Sequence, residues 1–295
     1  MAFTQANLNY AAEYSRAMSN ALPYLSYFPE VWASTPSTTY KPGMGKTVYI
    51  PSLTVSGAKA VNRDAITGAF SRNFNNALVA KTLEMDREWD TLVDPMDIDE
   101  TNMVATLANI TKVFNEQQKV PEQDAYLASS IYGFVTPDTT ALTAANILAT
   151  WDGYLAALEN ARVHRDRLVA YVTPGTKALL KSASGVTRFV DVGTAGGINR
   201  EVATLDGVPV KVVPADMMQS SYTFTEGWVA ASGAKQINLI LLDPDCVAAP
   251  VKYETAMMSA PTAQSKGKYL YYERYYYGAF VLPNRASGII VNAAS

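Results

Sequence analysis

Gly43-Met44-Gly45-Lys46-Thr47 ends in the Gly-Lys-Thr of a phosphate-binding loop, where backbone amides and a lysine cradle a polyphosphate. The spacing fails: the full pattern needs glycine at position 40, where Tyr40 stands, and a helix must follow. Instead Val48, Ile50, Leu53 and Val55 continue in the alternation of a strand, so the run reads as a turn entering that strand. Gly193-Thr194-Ala195-Gly196-Gly197 lacks the G-x-G-x-x-G spacing of a dinucleotide site and reads as a surface loop. His164 is the sole histidine, inside Arg162-Val163-His164-Arg165-Asp166-Arg167, where positive side chains suit a helix C-terminus. No G-x-S-x-G turn supplies a serine for it, and it reads as a solvated residue. With one histidine and one cysteine, Cys246, no metal site can be built from those ligands alone. Cys246 itself reads as a small buried apolar residue. Asp86, Glu88, Asp90, Asp94, Asp97, Asp99 and Glu100 could hold a hard cation, but their spacing matches no calcium loop. They read as the solvated face of a strand followed by helix-start acids. Tyr269, Tyr271, Tyr272, Tyr275, Tyr276 and Tyr277 could stack single-stranded nucleic acid, yet only Lys266, Lys268 and Arg274 accompany them. Strand packing and contact with another subunit is the reading for this run. Asn109-Ile110-Thr111 fits a glycosylation acceptor but falls inside an expected helix. No catalytic, cofactor-binding or metal residue is assigned, and no cofactor is expected.

The elements that hold these residues are those of a mixed α and β protein. The 295 residues, 48% hydrophobic, suffice for one large or two modest domains with real cores. Against 24 Lys and Arg stand 27 Asp and Glu, a formal charge of -3, so contact with nucleic acid is at most local and weak. Met1-Ala2-Phe3-Thr4-Gln5 does not open a signal peptide, and the longest apolar run, Ile237 to Leu242, is too short to span a bilayer. A soluble chain made in a reducing cytoplasm, with no membrane partner, is the expectation. Frequent tyrosine, 18 residues, with only 17% charged residues, suits wide protein contacts.

Residues 1–45 read as an arm: an amphipathic stretch of Tyr10, Tyr14, Met18 and Leu22, then sequence rich in Pro, Ser and Thr. Strands are expected from Lys46 to Val55 and again from Leu78, as a hairpin, with a polar connection from Ser56 to Asn76. Asp97 and Glu100 resemble a capping box opening a helix through Met103, Val104, Leu107, Ile110, Val113 and Phe114 to Lys119. Pro121 opens a second, short helix, and another spans Ala141 to Val163 on Ile147, Leu148, Trp151, Tyr154, Leu155, Leu158 and Ala161. Beyond Asp166 come a strand at Leu168 to Val172, a turn at Pro174-Gly175, a helix from Thr176 to Ser184, and strands at Gly207 to Pro214 and Ile237 to Leu242. Tyr269 to Val291 returns to strand and packs on the helical part.

The order of several segments resembles the major capsid proteins of tailed bacteriophages, the Hong Kong 97-type fold. Trp89-Asp90-Thr91-Leu92-Val93-Asp94 leading into Met96-Asp97-Ile98-Asp99-Glu100-Thr101 is similar to that family's strand-to-spine-helix junction. Leu168-Val169-Ala170-Tyr171-Val172-Thr173-Pro174-Gly175 resembles the opening of its axial domain, and Leu205-Asp206-Gly207-Val208-Pro209-Val210 its L-x-G-x-P-V strand. Ile237 to Pro244 and Tyr272 to Gly278 complete a collinear set. The resemblance implies an α+β, Hong Kong 97-like fold: an N-terminal arm over 1–45, an extended β-hairpin loop over 46–96, a spine helix and peripheral domain over 97–167, an axial domain over 168–250, and strands over 251–295 returning to the peripheral domain. It implies a virion subunit, not an enzyme, that forms pentamers and hexamers of itself in an icosahedral shell around double-stranded DNA. Scaffolding, portal and decoration proteins are the further partners it admits. Lys59 with Asn73, Asn75 or Asn76 supplies the residue types of covalent cross-links in some members, as composition and not as a motif. A tail-tube subunit and a soluble α/β enzyme are the alternative readings.

Overall fold

The computed structural model describes residues 26–40, 46–58, 74–96, 107–183 and 202–295. Tyr10 to Leu22, Gly43 to Gly45, Lys59 and Asn73, Asp97 to Val104 and Gly193 to Gly197 lie outside them. Two short helices, α1 (Pro29–Trp32) and α2 (Thr35–Thr39), each carry proline in the first turn, where its missing amide has no helical partner to lose. Strands β1 (Thr47–Val55) and β2 (Phe74–Thr82) form the expected antiparallel hairpin. Strand pairing extends further than the sequence suggests, since Phe74, Asn75 and Asn76 already face Val55, Thr54 and Leu53. Asparagine is poor in strands on average, but cross-strand neighbours override that preference. At Leu83 and Glu84 the chain leaves the hairpin, and β3 (Met85–Val93) pairs instead with β12 (Tyr269–Tyr277), which lies between β3 and β11 (Val251–Ser259).

Helix α3 (Leu107–Phe114) runs through a π-turn at Asn115–Lys119 into α4 (Val120–Phe134). The sequence suggests an end at Lys119 and a short helix after it; the structure joins both in one rod, whose second part has 15 residues. Pro121 has no amide to donate, and its ring crowds the carbonyl four residues back. The wider turn accommodates it: Val120 N–H bonds Asn115 O, five residues back, and the helix continues. Helix α5 (Ile147–Asn160) is shorter at both ends than its apolar periodicity implies. Thr143 and Asn146 cap its start reciprocally, with Thr143 N to Asn146 Oδ1 at 2.8 Å and Asn146 N to Thr143 Oγ1 at 3.3 Å. Its end is a left-handed turn at Arg162 (φ 65°), after which Val163 N–H reaches back to Leu158 O.

Then come β4 (Val169–Val172), α6 (Pro174–Ser182), β5 (Thr204–Leu205), β6 (Val208–Val212), the small hairpin of β7 (Tyr222–Thr223) and β8 (Val229–Ala230), and β9 (Ile237–Leu242). Pro174 and Gly175 are not a turn before α6 but its first residues, capped by Thr173 Oγ1 accepting from Thr176 N. Asp206 (φ 51°) and Gly207 (φ 83°) make the two-residue turn between β5 and β6, and Trp151 Nε1 donates to Asp206 Oδ2 at 3.0 Å. Short strands β10 (Val247–Ala248) and β13 (Phe280–Val281) pair with each other, and β14 (Ile289–Ala293) closes the order.

The main sheet has the order β14-β9-β4-β6-β5, with β4 and β6 parallel and the other pairs antiparallel. Because successive strand residues alternate in face, β4 and β9 feed two cores. Val169, Tyr171, Ile240 and Leu242 pack with α1, α4 and β12 on one side. Ala170, Val172, Leu239 and Leu241 pack with Ile147, Trp151, Leu155, Leu158 and Leu180 of α5 and α6 on the other. Burial on both faces is why these strands read as unbroken apolar runs.

Candidate contact surfaces and the buried polar hub

Alternation divides the β1–β2 hairpin into two unlike faces. Val48 and Ile50 are buried at its root with Leu83, Ala248, Tyr276, Phe280 and Leu282. The opposite face carries Tyr49, Pro51, Leu53 and Val55, paired across to Ala80, Leu78, Asn76 and Phe74. It is bare: Leu78 is 71% exposed, Val55 68%, Tyr49 61%, Leu53 56% and Phe74 51%. It also bears no charge, since Lys81, the only charged residue of these two strands, lies opposite Val48 on the root face. Two strands without a third are marginal in water, and a contiguous bare apolar surface marks a contact.

The root is pinned by charge. Lys46 Nζ donates to Asp86 Oδ2 at 2.6 Å, and Arg274 donates to Asp86 Oδ1 and Oδ2 at 2.9 and 2.8 Å. Both cations lie over the Tyr276 ring, at 4.5 and 5.4 Å from its centroid. The hydrogen bonds from Arg274 outweigh the upward push of burial and, with those of Lys46, hold the Asp86 carboxyl down to about 2. Asn284 Nδ2 adds a tether to Leu53 O at 3.2 Å.

Behind the hairpin, β3, β12 and α4 enclose a polar hub. Lys119, fully buried by the π-turn's placement, donates to Glu273 Oε1 at 2.9 Å and lies 4.1 Å from the Tyr275 ring centroid, while Tyr271 OH donates to Glu273 Oε2 at 2.8 Å. Burial draws the Lys119 ammonium below its ordinary pKa against the pull of Glu273. Arg87 forms a two-pronged pair with Glu122, both bonds at 2.8 Å, and donates to Phe224 O at 2.6 Å, linking β3, α4 and the β7–β8 hairpin. Tyr277 OH also donates to Glu122, and burial raises this phenol well above its ordinary value. Further along α4, Asp124 accepts from Ser26 Oγ at 2.6 Å, Tyr27 N at 2.7 Å and Trp32 Nε1 at 3.0 Å, which seats the start of the described chain.

Lys46, the lysine of the Gly-Lys-Thr run, thus serves the hairpin root, and a strand follows it. His164 is exposed beside a short 3₁₀ turn at Arg165–Arg167. Cys246 is buried, which pushes its thiol up to about 12. The described carboxylates are not gathered at one point: Asp86 pairs as above, Glu88 accepts from Tyr272 OH, and Asp94 meets Lys268. Among the described residues, no group of three or more His, Cys, Asp or Glu could hold a metal ion, and no helix is long and apolar enough to cross a membrane. Tyr271, Tyr275, Tyr276 and Tyr277 are buried strand residues and Tyr269 and Tyr272 are half-buried, so four of the six rings are closed to a stacking base. The hub of Arg87, Lys119, Glu122, Asp124 and Glu273 escapes sequence reading. Its only signal is three charged residues in Lys119-Val120-Pro121-Glu122-Gln123-Asp124, which look like an ordinary solvated helix start.

No protein-family model matches the chain, and no curated protein matches its sequence. Solved structures do match its fold. The asymmetric unit of the bacteriophage PhiM1 mature capsid gives a TM-score of 0.61 at 12% identity, covering 87% of this chain and 84% of that one. The capsid structure of cyanophage P-SCSP1u gives 0.61 at 14% identity over 86% and 85%, and a structure from Mycobacterium phage Che8 gives 0.55 at 16% over 87% and 86%. At such identities the likeness is one of fold: the chain has the mixed helix-and-sheet fold of phage capsid structures.

Proposed function

We propose that this chain is a major capsid protein of the tailed-bacteriophage type, a structural subunit that self-assembles into an icosahedral shell around double-stranded DNA and catalyses nothing. The observation that carries the reading is the β1–β2 hairpin, with an exposed, uncharged apolar face on a chain with a phage-capsid fold. Fully burying a large apolar side chain is worth about 1.5–3 kcal/mol, so five of them under a second copy supply a substantial contact before the costs of association. The same heterologous contact repeated around rings of five and six closes a shell.

On the Hong Kong 97-like plan, residues 1–45 are the arm, 46–96 the extended loop, 97–167 the spine helix and peripheral domain, and 168–250 the axial domain. Residues 251–295 return to the peripheral domain, with β14 reaching on to the sheet of β4 and β9. The net charge of -3 fits a wall that touches packaged DNA weakly. Scaffolding, portal and decoration proteins are partners at other faces. The chain is made in the host cytoplasm and ends in the virion.

The test is to express the chain alone and examine it by sedimentation and negative-stain electron microscopy, beside Leu78→Asp. Closed shells, or rings of five and six, from the parent and none from a folded Leu78→Asp support the reading. Uniform tubes would favour a tail subunit, and a parent that stays monomeric with or without co-expressed scaffold would overturn the proposal.

A further inference from the structure

Asp124 is fully buried on α4, and its three hydrogen bonds all come from residues 26–32. The donors are a hydroxyl, an amide and an indole; among the described residues none of its bonds comes from a cation. Other buried carboxylates here do have one: Glu122 has Arg87, and Glu273 has Lys119. A buried carboxylate left without a counter-charge is costly as an anion. The charged and titratable groups around it do not change this. Glu122 on the same helix is neutralised by Arg87; Glu30 of α1 is held by Lys211 of β6 and by Tyr171 of β4, whose phenol stays neutral. Ser26 Oγ also accepts from Phe28 N at 3.0 Å, so one hydroxyl orders the segment and contacts the carboxyl together.

We infer that Asp124 makes the seating of residues 26–32 on α4 a proton-linked latch, tightest when this carboxyl is protonated and looser when it is charged. Unseating the segment opens Asp124 to water and returns it to ordinary behaviour, so seating takes up a proton. The sign follows: burial raises the seated carboxyl from 3.8 to about 6 against the three hydrogen bonds, so seating gains strength as pH falls through about 6 and levels off below about 4. The seating equilibrium should change roughly a hundredfold over that window, about a factor of ten for each pH step crossed. The inference goes beyond the shell reading and stands apart from it, because every contact lies within one subunit.

The test uses the full chain carrying 5-fluorotryptophan, with the Trp32 fluorine signal assigned from Trp32→Phe. The ratio of seated to unseated signal should be flat from pH 8 to about 6, rise as pH falls from about 6 to about 4, and level off there. In Asp124→Asn, which is uncharged throughout, the ratio should not vary with pH. Should that variant fail to fold, Ser26→Ala leaves α4 intact and removes one bond to the anion, so the pH at which the ratio begins to rise should move upward. A ratio independent of pH in the parent, a seated fraction that falls on acidification, an Asn variant with parental pH dependence or an unmoved onset in Ser26→Ala would overturn the latch. None of these results depends on whether shells form.

Discussion

Lys119 and Glu273 illustrate how a buried ion pair constrains mutation. Removing one member leaves the other charged and dry, so Lys119→Met should cost about 3–5 kcal/mol in chemical denaturation, and Lys119→Met with Glu273→Gln should recover most of it. A second residue-scale test concerns volume. Gly288 lies against Cys246, and a Cβ at 288 would overlap Cys246 Sγ. Gly288→Ala should therefore lower the melting temperature, and adding Cys246→Ala, which removes the sulfur, should restore much of the loss. At the hairpin root the titration runs opposite in sign to that of Asp124. Asp86 is depressed in the folded state, so its contribution is present above about 4 and is lost as pH falls towards about 2. Protection of the amides of residues 46–50, taken relative to their intrinsic exchange rates, should fall across that interval in the parent, with a much weaker pH response in Asp86→Asn.

Elements were legible where one local rule governs them. The hairpin strands and the run Ile237 to Leu242 follow from alternation and two-sided burial, and the structure has both, whereas the segment read as one strand from Leu205 to Val210 is broken by the Asp206-Gly207 turn. What was missed depends on partners far along the chain. Nothing local says that Pro121 sits inside a rod, and the π-turn that admits it also carries Lys119 to a partner far along the chain, Glu273 on β12. The candidate surface was half legible: the sequence marks a hairpin, but which face stays bare is set by Tyr276, Phe280 and Leu282 covering the other. The end of α5 was hidden because Arg162 occupies the left-handed position that glycine usually marks. Arg162→Gly should accordingly stabilise the fold by about 0.5–1 kcal/mol, read as a raised melting temperature.

At the scale of the molecule, the sheets are stitched from distant stretches of sequence. Strands β12, β13 and β14 follow one another closely yet enter three different sheets, paired with β3 and β11, with β10, and with β9. Such non-local pairing slows folding, because long loops must close before their contacts form. The shared fold with phage capsid structures at 12–16% identity fits this picture, since strand order can persist while most side chains change.

Strand β12 sets a timetable. A growing polypeptide emerges from the ribosome in order, so β3 and the π-turn appear long before residues 269–277, which hold both Arg274 for Asp86 and Glu273 for Lys119. Until then Lys46 alone of the two cations can reach Asp86, and the hairpin base lacks the Arg274 clamp. The finished orientation of the bare apolar face is therefore set only when translation is nearly complete.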